Sequence, residues 1–121
     1  MRKGLTAAEV EKVLREEFPG AEFKVTVTEF QGKDIVGIET DLIEDFTDRE
    51  LIKLEQFREK KLKTTRTLTS AIEKARTREI VREKVKELLT PMVERETTVF
   101  VEALGGTKCS VIVIKIQKGG K

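Results

Sequence analysis

The sequence predicts an α+β fold: two β-hairpins forming a mainly antiparallel sheet, with three helices. Three observations carry this. A hydroxyl residue followed three places later by glutamate occurs before three helix-like stretches, at Thr6/Glu9, Thr47/Glu50 and Ser70/Glu73. Two stretches alternate apolar and polar residues with the period of a strand, and each is broken by a glycine-containing turn. Helical and extended stretches are grouped rather than strictly alternating, which favours helices on one face of an antiparallel sheet.

The elements follow in order. Thr6 and Glu9 make a capping box, in which each side chain satisfies a backbone N–H of the other, so a helix starts at residue 7. It runs over 7–17 on an apolar side of Ala7, Val10, Val13 and Leu14, and Pro19-Gly20 ends it. Phe23, Val25 and Val27 alternate with Lys24, Thr26 and Thr28, giving a strand. Gln31-Gly32 turns into a second strand over 33–40. Thr47 and Glu50 open a helix over 48–62 with Leu51, Leu54 and Phe57 inward, and Ser70 and Glu73 open another over 71–89, stopped by Thr90-Pro91. Strands over 97–104 and 109–117 flank the turn Gly105-Gly106-Thr107-Lys108. Ile112, Ile114 and Ile116 share one face of the last strand and Val111 and Val113 the other, the pattern of a central strand covered on both sides.

Lys63–Leu68 reads two ways. Its threonines favour a strand, which would make residues 33–117 a βαβαββ core with an N-terminal α-β extension. As a polar linker it leaves the order α-β-β-α-α-β-β. Either way the 121 residues form a single domain, 1–121, large enough to bury roughly two-thirds of the unfolded surface.

Composition bounds the chemistry. There is no histidine, tryptophan, tyrosine or asparagine, and Cys109 is the one cysteine. Imidazole metal sites, histidine general bases, Ser-His-Asp and Cys-His mechanisms and an internal disulfide are therefore unavailable to this chain alone. Apolar stretches fall far short of the ~20 residues that cross a bilayer. Arg2 and Lys3 lead into an amphipathic segment rather than a secretory signal, so the expected location is cytoplasmic, with no membrane partner. Abundant Lys and Glu with few thermolabile residues are thermophile-like. Gly105-Gly106-Thr107-Lys108 lacks the spacing of a P-loop, and Cys109 reads as structural. No cofactor or metal is expected.

The net charge of +2 conceals a split. Residues 34–50 hold seven acidic side chains and one basic, and residues 60–78 seven basic and one acidic. The basic segment interleaves the hydroxyls Thr64, Thr65, Thr67, Thr69, Ser70 and Thr77, a combination suited to phosphates. Lys74, Arg78, Arg82 and Lys86 recur every fourth residue and form a ridge. The expected activity is non-enzymatic binding of RNA or DNA backbone through Lys60, Lys61, Lys63, Arg66, Lys74, Arg78 and Arg82. The alternative is an assembly or protein-interaction subunit, a homo-oligomer included, whose segments 34–50 and 60–78 are complementary patches. A third reading, a metal-dependent nuclease using Glu39, Asp41, Glu44, Asp45 and Asp48, ranks last because this spacing does not match the EF-hand loop and two-metal chemistry would need acids on neighbouring strands too. Phenylalanine is the only aromatic, and no aromatic pair for base stacking is evident.

The stretches Ala71-Ile72-Glu73-Lys74-Ala75, Glu79-Ile80-Val81-Arg82 and Ser110-Val111-Ile112-Val113-Ile114-Lys115-Ile116 make the second half of the chain resemble Alba-type proteins, small archaeal nucleic-acid binders. The same βαβαββ outline is found in the C-terminal domain of bacterial translation initiation factor three. The resemblance implies that outline and nucleic-acid binding.

Overall fold

The structure is a computed structural model that describes residues 5–61, 63–106 and 111–117. The elements are α1 (Ala7–Glu17), β1 (Phe23–Phe30), β2 (Lys33–Thr40), α2 (Asp48–Arg58), α3 (Arg66–Leu89), a 3-10 turn (Thr90–Met92), β3 (Thr97–Ala103) and β4 (Ile112–Ile116). The fold is α+β, with three helices and a four-stranded mixed sheet in the order β1-β2-β3-β4.

Capping boxes at Thr6 and Thr47 start α1 and α2. The two-residue turn between β1 and β2 places Gln31 at φ 52° and Gly32 at φ 79°. Left-handed backbone at both positions is the turn that matches strand twist. It fixes the register in which Val27 faces Val36 and Val25 faces Ile38. β2 and β3 pair in parallel, Val36 with Val99 and Ile38 with Val101. A parallel pair requires a long crossover, and α2 and α3 supply it. β4 returns antiparallel to β3 and closes the row.

The core lies on one side of the sheet. Val36, Ile38, Val99, Val101, Ile112, Ile114 and Ile116 meet Val10 and Leu14 of α1 and Val81, Val85 and Leu89 of α3. At one end Asp34, 2% exposed, accepts hydrogen bonds from Leu5 N (3.3 Å) and from Arg95 Nε and Nη2 (3.2 and 2.8 Å). This ties the chain before α1 to the start of β2. Among the described residues no helix covers the other face of the sheet, and Phe100 and Val113 stand on it, each 38% exposed.

One open reading is decided and three expectations are corrected. Residues 63–65 form no strand and α3 begins at Arg66, so residues 33–117 run β-α-α-β-β, the linker alternative, and the βαβαββ core is not formed. The cap of α3 is Thr65, whose hydroxyl accepts from Leu68 N, and not Ser70, whose hydroxyl donates to Glu50 Oε2 at 2.8 Å. α2 stops at Arg58, and of the three apolar residues expected inward Leu54 is half-buried while Leu51 and Phe57 are exposed, because α2 packs on α3 and not on the sheet. β4 is an outer strand covered on one face only; its alternation marks one buried row, and Val113 lies on the open side. The turn at Thr107-Lys108 and Cys109 lie outside the described residues.

Candidate nucleic-acid interface

The second half of α3 packs in the main core through Val81, Val85 and Leu89. Its first half is covered by α2, where Leu68 and Ala71 are buried. The two helices make a hairpin, and the connection between them carries the cations expected to contact phosphate. Lys60, Lys61, Lys63 and Arg66 are all exposed there. Lys61 Nζ lies 3.6 Å from Glu59 and Arg58 Nη1 3.2 Å from Glu55, both on the surface, where such pairs are screened and readily exchanged.

The backbone at the end of α2 has a specific form. Lys60 N–H donates to the Phe57 carbonyl at 2.9 Å and Lys61 N–H to the Gln56 carbonyl at 3.0 Å. These two bonds define a Schellman close, whose left-handed position normally belongs to glycine. Here it is Lys60, at φ 61°. Left-handed backbone is costly for a residue with a Cβ, and strain of this kind is found where a side chain serves a function. Lys60→Gly is expected to raise the unfolding free energy by about 0.5–1 kcal/mol while removing one exposed cation; chemical denaturation of the two proteins measures it.

The start of α3 adds to the positive field. Glu9 sits in the first turn of α1, and Asp48 and Glu50 in that of α2, whereas the first turn of α3 holds no acid. Arg66 occupies its first position and Thr65 caps it. The N–H groups of Arg66 and Thr67 have no carbonyl within the helix to bond, so the dipole reinforces the four cations.

The other three predicted residues form a separate group, facing the acidic turn. Lys74 Nζ donates to the Asp45 carbonyl and to Glu50 Oε1, both at 2.9 Å, with Glu44 Oε1 at 3.8 Å. The Lys74 and Glu50 side chains are 17% and 6% exposed. Burial pushes the Glu50 carboxyl up, but the Thr47 N–H, Lys74 and Ser70 outweigh it and hold the group at about 2. Arg78 Nη1 donates to the Glu44 carbonyl at 3.1 Å, and its guanidinium lies over the Phe46 ring at 5.3 Å. Burial draws the Arg78 guanidinium down from its ordinary value, and the charge of Asp45 opposes this. Arg82 Nη1 donates to the Val113 carbonyl of β4 at 3.0 Å. Segments 34–50 and 60–78 thus meet within one chain, through Glu50, Glu44 and Asp45 on one side and Ser70, Lys74 and Arg78 on the other.

The acids themselves are dispersed. Asp41 accepts from Glu22 N at 3.0 Å, Glu39 lies on the open face of β2, and Asp48 is in the first turn of α2. Gly106 approaches the Asp45 carboxylate so closely that a Cβ there would overlap it. Among the described residues no group of three or more acids, cysteines or histidines is placed to hold a metal ion. No described helix is long and apolar enough to cross a membrane. Of the hydroxyls, Thr65 caps α3, Thr69 Oγ1 donates to the Thr65 carbonyl and Ser70 serves Glu50; Thr64 is exposed beside Lys63. Two features of the interface escaped the sequence reading. The strained Lys60 has no signature, since lysine replaces the glycine that would have marked it. Phe57, 48% exposed beside the basic connection, was expected inside.

Comparison with family models, curated proteins and solved structures finds no match for this chain.

Proposed function

We propose that this protein is a non-enzymatic module that binds the phosphate backbone of RNA or DNA with the tip of its α2–α3 hairpin. The observation that carries the reading is the group of four exposed cations, Lys60, Lys61, Lys63 and Arg66, on one short connection that runs into a hydroxyl-capped helix start. Lys and Arg supply the counterion-release term, and helix N–H groups and the Thr64 hydroxyl add directional bonds. Lys74, Arg78 and Arg82 support the frame that presents the tip and make no phosphate contact. Phosphate contacts carry no sequence information, so binding is sequence-tolerant and strongly salt-dependent.

Fluorescence anisotropy with mixed-sequence single and double strands, titrated from about 50 to 300 mM salt, tests this. Reversing the four tip cations to glutamate should weaken binding by about 100-fold or more and flatten the slope of log affinity against log salt by about 3. Absence of wild-type binding at tens of micromolar protein in about 50 mM salt, or equal binding by the reversed variant, would refute the proposal.

A further inference from the structure

β1 is an outer strand, and the direction of its backbone groups follows from the register. Asp34 N–H donates to the Glu96 carbonyl at 3.1 Å. Successive residues of a strand turn their backbone groups to opposite sides. Asp34, Val36 and Ile38 therefore serve β3, and Lys33, Ile35, Gly37 and Glu39 serve β1. The partners of the latter four are Phe30, Thr28, Thr26 and Lys24. That leaves the N–H and C=O groups of Phe23, Val25, Val27 and Glu29 directed away from the sheet. Among the described residues none of these backbone groups has a hydrogen-bond partner.

A free edge of this kind is normally blunted by proline, by a bulge or by being short. β1 runs eight residues, contains no proline and pairs with β2 without a break. Lys24 is its one lysine and stands near one end. On the opposite edge of the sheet Arg82 already holds the Val113 carbonyl. The side chains of β1 are incompletely covered as well. Val25 and Val27 pack against the core yet are only half-buried, and no further strand lies beside them.

From this arrangement we propose that β1 pairs with β1 of a second copy, antiparallel, about a two-fold axis through Thr26. Parity fixes the register. Outward groups must meet outward groups, so odd positions face odd positions. With the axis at Thr26, Phe23 meets Glu29 and Val25 meets Val27, each twice, and every such pair exchanges two bonds. An axis at Val25 or Val27 keeps the parity but loses one of these pairs. On the helix side, Val25 and Val27 of one copy cover Val27 and Val25 of the other. Glu29 stays on its own Arg95 at 3.3 Å. On the open side Thr26 stands against Thr26 and Lys24 against Thr28, so no like charges are opposed. The backbone groups alone would accept any extended chain. The match of valine to valine and threonine to threonine on the two sides points to β1 itself. A strand that is its own complement under rotation meets the requirement for an isologous dimer. The product is one continuous sheet, twice as wide as that of the single chain.

β1 forms no part of the hairpin tip, so the dimer stands independently of nucleic-acid binding.

The position on the axis provides the test. Thr26→Lys and Thr26→Glu each set like charges directly opposite one another and should self-associate at least about threefold more weakly than the wild type. Their equimolar mixture sets Lys against Glu and should associate more tightly than either variant alone. Val27→Pro removes an N–H that β2 does not use, so the chain keeps its own ladder and should lose dimerisation. Circular dichroism reads whether it is folded, and the charge pair decides alone if it is not. Sedimentation with interference optics, needed because the chain lacks tryptophan and tyrosine, runs from about 20 µM to about 1 mM protein, the range of a weak interface. Amide hydrogen exchange on labelled wild type at the two ends of that range locates the contact. The N–H groups of Phe23, Val25, Val27 and Glu29 should become protected as concentration rises. A wild type that stays monomeric throughout overturns the proposal. So does a dimer in which those four amides remain unprotected, a mixture no tighter than its components, or a folded Val27→Pro variant that dimerises normally.

Discussion

Replacing Glu50 with alanine lowers the unfolding free energy by about 3 kcal/mol. Three contributions disappear together. The Thr47 N–H loses its acceptor at 2.7 Å, Ser70 loses its acceptor at 2.8 Å, and Lys74 loses its counter-charge at 2.9 Å. The last is the largest, because an ammonium 17% exposed keeps only the Asp45 carbonyl and the more distant, exposed Glu44 carboxylate; removing the close partner of a buried charge costs more than the pair contributed. The chain has no tryptophan or tyrosine, so denaturation is followed by far-ultraviolet circular dichroism. Glu50→Leu combined with Lys74→Met should recover most of the loss, since no charge is then stranded. A double variant no better than the single one would show that the ion pair is not the source.

The same carboxylate sets a pH dependence. Its folded value lies near 2 against an ordinary 4.5. Its contribution is therefore complete above about 4.5 and is lost as the pH falls from there through about 2. Wild-type stability should decline across that window, and the Glu50→Leu/Lys74→Met variant should decline less.

Changing Arg78 and Arg82 together to glutamate lowers the melting temperature by about 10 °C, equivalent to about 3 kcal/mol for a domain of this size. Arg78 gives up its bond to the Glu44 carbonyl and its place over Phe46, and Arg82 its bond to Val113. A partly desolvated cation–π contact contributes about 1 kcal/mol and each charged hydrogen bond about as much. The new carboxylate at position 78 also faces Asp45, whose charge acts on Arg78. Exposed arginines would lose about 0.5 kcal/mol or less on the same exchange. A shift of only a degree or two would place both guanidinium groups in solvent and return them to the phosphate-binding surface.

Local signals in the sequence were sufficient where the interaction is local. Thr6/Glu9 and Thr47/Glu50 place the starts of α1 and α2 at the residue, and Gln31-Gly32 fixes the first hairpin. Ser70/Glu73 has the same spelling and a different meaning. Thr65 had already started the helix with Leu68 at the position a capping glutamate would take, so the cap carried no second marker. The serine was then free to face α2. The charge split was visible but not its destination. Lys74 meets Glu50 across 24 residues and Arg78 meets Glu44 across 34. Whether such partners close within one chain or between two depends on how the crossover packs. The last strand misled for a related reason: Ile112, Val113 and Ile114 look alike in sequence, and only the neighbours distinguish core from open surface.

The bond from Arg82 to Val113 has a consequence for how this molecule keeps to itself. A run of isoleucines and valines on an outermost strand, with no proline in it, is a template onto which another extended chain can be added. The guanidinium reaches that strand from a helix and engages one of its carbonyls, so an incoming strand would have to displace it. This stopper exists only once α3 has docked. Before then, and in any variant that loosens α3, that carbonyl is open to an incoming strand, and the charge that engages it in the finished protein comes from a residue 31 positions away in the chain.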